Sequence, residues 1–356
     1  MQWSFKIFTI ADIEIRIHLT LLIILGLLIY ILYWVNPFPV GFSDLDYSRS
    51  VKLALSVIAA LGLFVAILLH ELAHSILSKR SGGDVRGIML FIFGGVSMME
   101  DTLSDPDKEI TMAFAGPFTS FVIAAGSFGL YLTGLPLLSE FFMVFGIFNF
   151  ALGAFNLLPA FPLDGGRILR GFLAKKMSFV SATQSAASVG KAFAVMLGIL
   201  GIFANPWLIL IALFIYMGAS EEEKMVVEKG TLSKRKIRDI MTEDPITVSP
   251  QITVNDFINI IFKNKHPGYP VVDGDKIVGL ITLQDVSDVD KNSKIGDLVS
   301  DDDAITISPE DTAYRAFQLM NENNVGRLSV VEDGVLVGII SRTDLMRLRE
   351  LEKITG

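Results

Sequence analysis

Cysteine is absent from the 356 residues of this chain, which rules out a disulfide framework, a thiolate zinc site and a cysteine nucleophile together. Histidine is scarce, with four copies, so any imidazole chemistry has few places to sit. Charge is thin as well: 19% of residues are charged against 51% hydrophobic, too apolar a balance for a soluble enzyme. The net charge of −8 offers no footprint for nucleic acid. Residues 1–17 lack the short apolar core and small-residue cleavage site of a signal peptide, so the first apolar run reads as a retained span.

What is present is unevenly spread. Residues 18–219 carry nearly all the long apolar runs, and 220–356 read as an ordinary charged globular region. Runs long enough to cross or nearly cross a bilayer occupy 18–35, 51–78, 110–133, 141–158, 187–204 and 206–219, the last being short. The fourth is broken by Pro159 and Pro162 and resumes as a shorter apolar helix near 166–174. Lys79, Arg80 and Arg86 follow the second run, and Arg167, Arg170, Lys175 and Lys176 follow the fourth. This bias places these loops and both termini in the cytoplasm. Residues 84–100 are too short and Gly-interrupted for a span and read as a hairpin or re-entrant loop whose strand edge could pair with an extended peptide.

His70-Glu71-Leu72-Ala73-His74 lies near the end of the second run. Residues four apart share a helix face, so His70 and His74 can hold one metal ion, with Glu71 turned about a hundred degrees away as a general base for water. Ionisable groups in an apolar segment are costly and hence functional candidates. Catalytic zinc usually takes three protein ligands. Of the other histidines, His18 opens the first run and His266 lies in the charged half, so the third ligand is sought among carboxylates. Asp164 stands out, because it follows Pro159 and Pro162 and precedes Gly165-Gly166; broken backbone at membrane depth is tolerated beside a buried polar site. Asp164 is also suited to cap the following helix. Asn156 adds a neutral donor able to hold a substrate carbonyl or oxyanion, or else to bond between helices.

HELAH, the FGGVSMM segment, AGPFTS at 115–120 and NLLPAFPLDGGR at 156–167 together resemble the site-2 protease family of intramembrane zinc metalloproteases, over most of residues 10–219. The resemblance implies one catalytic Zn2+ on His70, His74 and Asp164, Glu71 as acid/base, and Asn156 assisting substrate or oxyanion binding. It also implies a strand-like loop at Gly94 and Gly95, and single-span membrane proteins as substrates. Many members carry Asn after the Gly-Pro pair, where this chain has Phe118 after Gly116-Pro117. No inserted PDZ-like domain is visible.

The charged half repeats itself. Residues 237–285 and 296–344 match at an offset of 59: Pro270-Val271-Val272 corresponds to Ser329-Val330-Val331, and Gly279 to Asp285 corresponds to Gly338 to Asp344. Each copy reads as an extended start, an amphipathic helix, two strands joined by a turn, and a helix begun near the Asp. The repeats resemble a tandem CBS-domain pair. That resemblance implies an adenine nucleotide (ATP, ADP or AMP) as regulatory ligand, with Thr282, Asp285, Ser341 and Asp344 at its ribose, and a homodimer through the pair. Helix capping suits the same Thr/Ser and Asp residues.

The expected fold is a polytopic α-helical membrane domain of about six spans with a small β-hairpin or loop element, followed by an α/β tandem CBS domain. The expected boundaries are 1–219 for the membrane domain, 220–235 for a linker, and 236–356 for the pair (236–290 and 295–349). The expected function is intramembrane zinc endopeptidase in the cell membrane, embedded in the lipid bilayer and modulated by nucleotide. The alternatives are a nucleotide-regulated transporter or channel, and a catalytically silent scaffold.

Overall fold

A computed structural model describes residues 4–91, 94–99, 105–266, 268–274, 276–299 and 305–355. Ile92, Phe93 and Glu100 of the expected hairpin lie outside the described residues. The chain divides into two compact units, Met1–Lys224 and Met225–Gly356.

The first unit opens with strands β1 (Ser4–Ile10) and β2 (Ile13–His18), then helix α1 (Thr20–Tyr30), which continues through a π-helical turn to Val35. Helix α2 (Arg49–Arg80) is followed by strands β3 (Val85–Phe91) and β4 (Gly94–Met99). Helices α3 (Pro106–Tyr131), α4 (Leu138–Asn156), α5 (Asp164–Ala174), α6 (Phe179–Phe203) and the part of α7 (Trp207–Leu232) up to Lys224 complete it. Among the described residues α2, α3, α4 and α6 are long and apolar enough to cross a membrane. Two of the six expected runs are shorter: Thr20–Val35, and the apolar first half of α7.

The 84–100 segment is a hairpin, and it belongs to a larger sheet than the sequence suggested. The strand order is β1-β2-β3-β4, with β2 parallel to β3 and the outer pairs antiparallel. Ile13 and Ile15 from β2 and Ile88 and Leu90 from β3 pack with Leu21 of α1 against Phe64, Leu68 and Leu72 of α2. His18 therefore ends a strand instead of opening a span, and its Nδ1 lies 2.9 Å from the Thr20 hydroxyl. Alternation in Ile13-Glu14-Ile15-Arg16-Ile17 produces this strand, with isoleucines turned in and charges out.

Ser48 caps α2 by accepting from the Val51 amide, and Lys79 and Arg80 sit at its negative C-terminal end. At 1.5 Å per residue α2 is about 48 Å long, more than a hydrocarbon core of about 30 Å. Small residues let the helices close up: Gly62 of α2 admits Phe145, while Gly146 and Gly153 of α4 admit Phe128 and Phe121 of α3. The residues expected to form a linker from 220 are largely helical, because α7 runs on to Leu232. Its acidic stretch finds cationic partners, Glu222 on Arg170 and Glu223 on Lys191, and the sequence beyond is rich in helix formers.

The second unit carries the duplication. Helix α8 (Val254–Asn264) and strands β6 (Gly268–Asp273) and β7 (Lys276–Thr282) are answered 59 residues later by α9 (Ala313–Glu322), β9 (Arg327–Glu332) and β10 (Val335–Ser341). Short strands β5 (Thr242–Glu243) and β8 (Thr306–Ile307) flank them, and α10 (Arg342–Thr355) ends the chain. One core holds Val248, Val254, Phe257, Tyr269, Val271, Ile281 and Val286. The other holds Ile307, Ala313, Ala316, Leu328, Val330, Ile340 and Leu345, the same positions plus 59. The opening segment of each copy crosses over. Ile237 opens the first copy yet is buried in the second core, and Ile295 opens the second yet is buried in the first. The Ile237 amide donates to Asp311 and the Ile295 amide to Ile252, so the copies are exchanged at their starts and neither core is complete alone.

Candidate metal centre

Helix α2 brings His70 and His74 to one face, both buried, with ring centroids 4.9 Å apart. The third group arrives from 90 residues away. Pro159 and Pro162 end the preceding helix, and the loop folds so tightly onto the start of α5 that a side chain at Gly165 would collide with the carbonyls of Leu157 and Leu158. Leu163 is the N-cap residue of α5, and the Asp164 carboxylate turns to the imidazoles instead of capping. Asp164 Oδ2 is 3.1 Å from His70 Nε2 and 3.3 Å from His74 Nε2. One ligand atom from each of the three residues lies within 4.8 Å of the others.

The hydrogen bonds on the far side of each ring define the site's chemistry. His74 Nδ1 is 2.7 Å from the Met112 carbonyl oxygen, which can only accept, so that nitrogen carries the proton. His70 Nδ1 is 2.9 Å from the Ser120 hydroxyl. In the neutral ring His74 Nε2 then presents a lone pair, is buried, and has no hydrogen-bond partner. It faces a carboxylate oxygen, which is a second acceptor. Two acceptors held this close need a proton or a metal cation between them. Tetrahedral zinc at ordinary bond lengths sets its ligand atoms about 3.3 Å apart, in line with the separations here. Gly116 leaves the room, for a Cβ at that position would collide with both Nε2 atoms. The residues fit a metal ion held from one side by three protein atoms.

Glu71 points to β4. Ser97 Oγ donates to its Oε2 at 3.0 Å and is itself 3.1 Å from Ser75 Oγ, and a side chain at Gly95 would collide with Glu71 Cγ. Gly95 of β4 thus admits the Glu71 side chain against the strand. Asn156 closes α4 with its amide donating to the Leu152 carbonyl at 3.0 Å. Below Asp164 on α5, Arg170 is buried. Its Nε donates to Glu109 of α3 and its Nη1 to Glu222 of α7, each at 2.7 Å, and its guanidinium lies 5.1 Å and 4.7 Å from the rings of Phe161 and Phe179.

In the second unit, Thr282 Oγ1 donates to Asp285 Oδ2 at 2.7 Å, and Ser341 Oγ to Asp344 Oδ2 at 2.5 Å. The Thr282 and Ser341 amides donate to the same carboxylates, and in the second copy the Asp344 amide also donates to Ser341 Oγ, as in a helix cap; the two pairs occupy equivalent positions. Arg327 Nη1 donates to the Gly268 carbonyl, joining the two copies at equivalent residues, and burial pulls the Arg327 pKa below its ordinary value. Ser120, Met112, Gly116, Ser97 and Arg170 escaped sequence reasoning. The AGPFTS segment is helical and turns Gly116 and Ser120 to the imidazoles.

The sequence profile of Peptidase family M50 matches residues 58–138 and 134–198, and that of the CBS domain matches 237–292 and 295–350. A zinc metalloprotease of Methanocaldococcus jannaschii is 36% identical over 98% of this chain and 96% of its own length. Rip3 of Mycobacterium tuberculosis, also named as a zinc metalloprotease, is 31% identical over 97% of this chain and 92% of its own. Among solved structures, a site-2 protease from M. jannaschii is 35% identical over 62% of this chain and 95% of its own, with a TM-score of 0.44.

Proposed function

Because this chain belongs to the site-2 protease family of zinc metalloproteases (peptidase family M50) and carries a tandem CBS pair, we propose that it cuts single-span membrane proteins within or near their spans, using His70, His74 and Asp164 as zinc ligands. The observation that carries this is the buried convergence of two imidazoles and one carboxylate beside Glu71. Bound zinc supplies Lewis acidity, polarising a peptide carbonyl and acidifying water. Glu71 takes the proton from the attacking water and returns it to the leaving amine. The Ser97 hydroxyl occupies Oε2 and so leaves Oε1 to handle that proton. The Met112 carbonyl holds His74 in the tautomer that keeps its Nε2 lone pair inward, and the Ser120 hydroxyl orients the His70 ring.

A helical substrate hides its peptide bonds, so it must be drawn out before cleavage. β4 is an edge of its sheet and lies against Glu71, and an extended peptide added along that edge would pass the general base. Asn156 serves the substrate carbonyl by exchanging its present partner, the Leu152 carbonyl, for it. Thr282, Asp285, Ser341 and Asp344 take the ribose hydroxyls of an adenine nucleotide, exchanging their mutual hydrogen bonds for the ligand's, and occupancy modulates cleavage. The enzyme sits in the cell membrane with both termini cytoplasmic, as the basic ends of α2 and α5 favour.

The test uses the full chain in proteoliposomes with a single-span substrate. Glu71→Gln is expected to lower cleavage by about 10²- to 10⁴-fold with zinc content unchanged. A chelator should abolish cleavage and zinc restore it. Cleavage at the wild-type rate in Glu71→Gln would remove Glu71 from the mechanism, and a flat rate across an ATP or AMP titration, despite measured binding, would refute the coupling.

A further inference from the structure

The hairpin of β1 and β2 has two unlike faces. The cross-strand pairs Phe5–Ile17, Phe8–Ile15 and Ile10–Ile13 line one, and Lys6–Arg16 and Thr9–Glu14 line the other. On the polar face Glu14 bonds to Lys6 at 2.7 Å, and Arg16 lies 3.3 Å from the same carboxylate. On the apolar face the β2 half is buried against α1 and α2, but the β1 half overhangs these helices. Phe5 is 62% exposed, Phe8 43% and Ile10 39%, and the bulged Ile7 is 54% exposed. In the chain the hairpin is followed directly by exposed apolar residues, Leu19 between β2 and α1 and Leu22 and Ile23 on α1.

We propose that this overhang lies in the interfacial layer of the bilayer, its Phe5, Phe8 and Ile10 face turned to the acyl chains and its Lys6, Thr9, Glu14 and Arg16 face to water. An uncovered apolar edge strand in water would invite aggregation, so its apolar face must be covered. The outer edge of β1 also carries backbone groups unpaired within the sheet, which the hydrocarbon core does not tolerate. Both demands are met at the headgroup level, where water reaches the edge and lipid the apolar face. The turn is fastened at this level, for Lys79 at the basic end of α2 donates to the Ala11 carbonyl at 2.9 Å. Because β1 to β4 form one sheet, the hairpin fixes the depth of β4 and with it of Glu71.

The absence of cysteine makes the test direct. Single variants Phe5→Cys, Phe8→Cys, Ile10→Cys, Lys6→Cys and Thr9→Cys in the full chain are spin-labelled in lipid nanodiscs, and accessibility to oxygen and to a water-soluble nickel chelate is read by power saturation. The expected result is an alternation: labels at 5, 8 and 10 are accessible to oxygen and protected from nickel, and those at 6 and 9 are the reverse. Equal nickel access on both faces would overturn the proposal. So would protection on both faces with dipolar broadening, which would show β1 covered by a second copy of the chain.

Discussion

The two units place their polar chemistry in opposite ways. The CBS unit distributes it by duplication, so that seven core positions and the Thr282–Asp285 pair each have a counterpart 59 residues away. The membrane unit concentrates it. His70, His74, Asp164, Glu71 and the Arg170 cluster occur once each, and every one depends on partners from a distant segment. Duplication spreads a structural load over equivalent positions, whereas a buried polar site in lipid has no substitute for any member.

That contrast can be broken from either side. Arg170→Ala removes the cation between two buried or nearly buried carboxylates, and the expected loss is about 3–5 kcal/mol, read as a lowered unfolding temperature of the membrane unit in detergent. A loss under about 1 kcal/mol would show the cluster to be hydrated. In the CBS unit, Ile281→Ala and Ile340→Ala delete equivalent fully buried side chains, and each should cost about 2–5 kcal/mol, by similar amounts. Denaturant unfolding of the two variants checks this, and a large inequality would show that the copies bear unequal load. Ser120→Ala removes the hydroxyl that orients His70 and should weaken zinc binding about 10- to 100-fold by competition against a chelator, with the fold intact. The smallest effect is expected from Thr282→Ala: about 1 kcal/mol of stability for the lost hydrogen bond to Asp285, with weaker adenine-nucleotide binding by calorimetry. A stability loss with unchanged nucleotide affinity would assign Thr282 to its Asp285 contact alone.

What could be read in the sequence follows the same division. The HELAH pair was legible because i and i+4 meet on any helix, and Asp164 because two prolines and two glycines mark broken backbone. The repeat was legible because its offset is constant. Ser120, Met112 and Ser97 were not, since they reach the site across 50, 38 and 26 residues and carry no local period. Arg170 looked like a basic loop marker, and its burial depends on Glu109 and Glu222 arriving from other helices. The N-terminal hairpin was hidden beside a long apolar run, although Ile13 to Ile17 alternate with period two. The exchanged openings of the CBS copies left no trace either, for the pattern of a segment does not say which of two like cores it enters.

The central claim is that His70, His74 and Asp164 bind one ion. Zinc K-edge absorption on the purified full chain, alongside zinc content of Asp164→Ala, tests it most directly. The account predicts one zinc per chain in a nitrogen and oxygen shell at about 2.0–2.2 Å with two imidazoles, and loss of that zinc in Asp164→Ala. A full complement of zinc in the variant, with an unchanged spectrum, would contradict it.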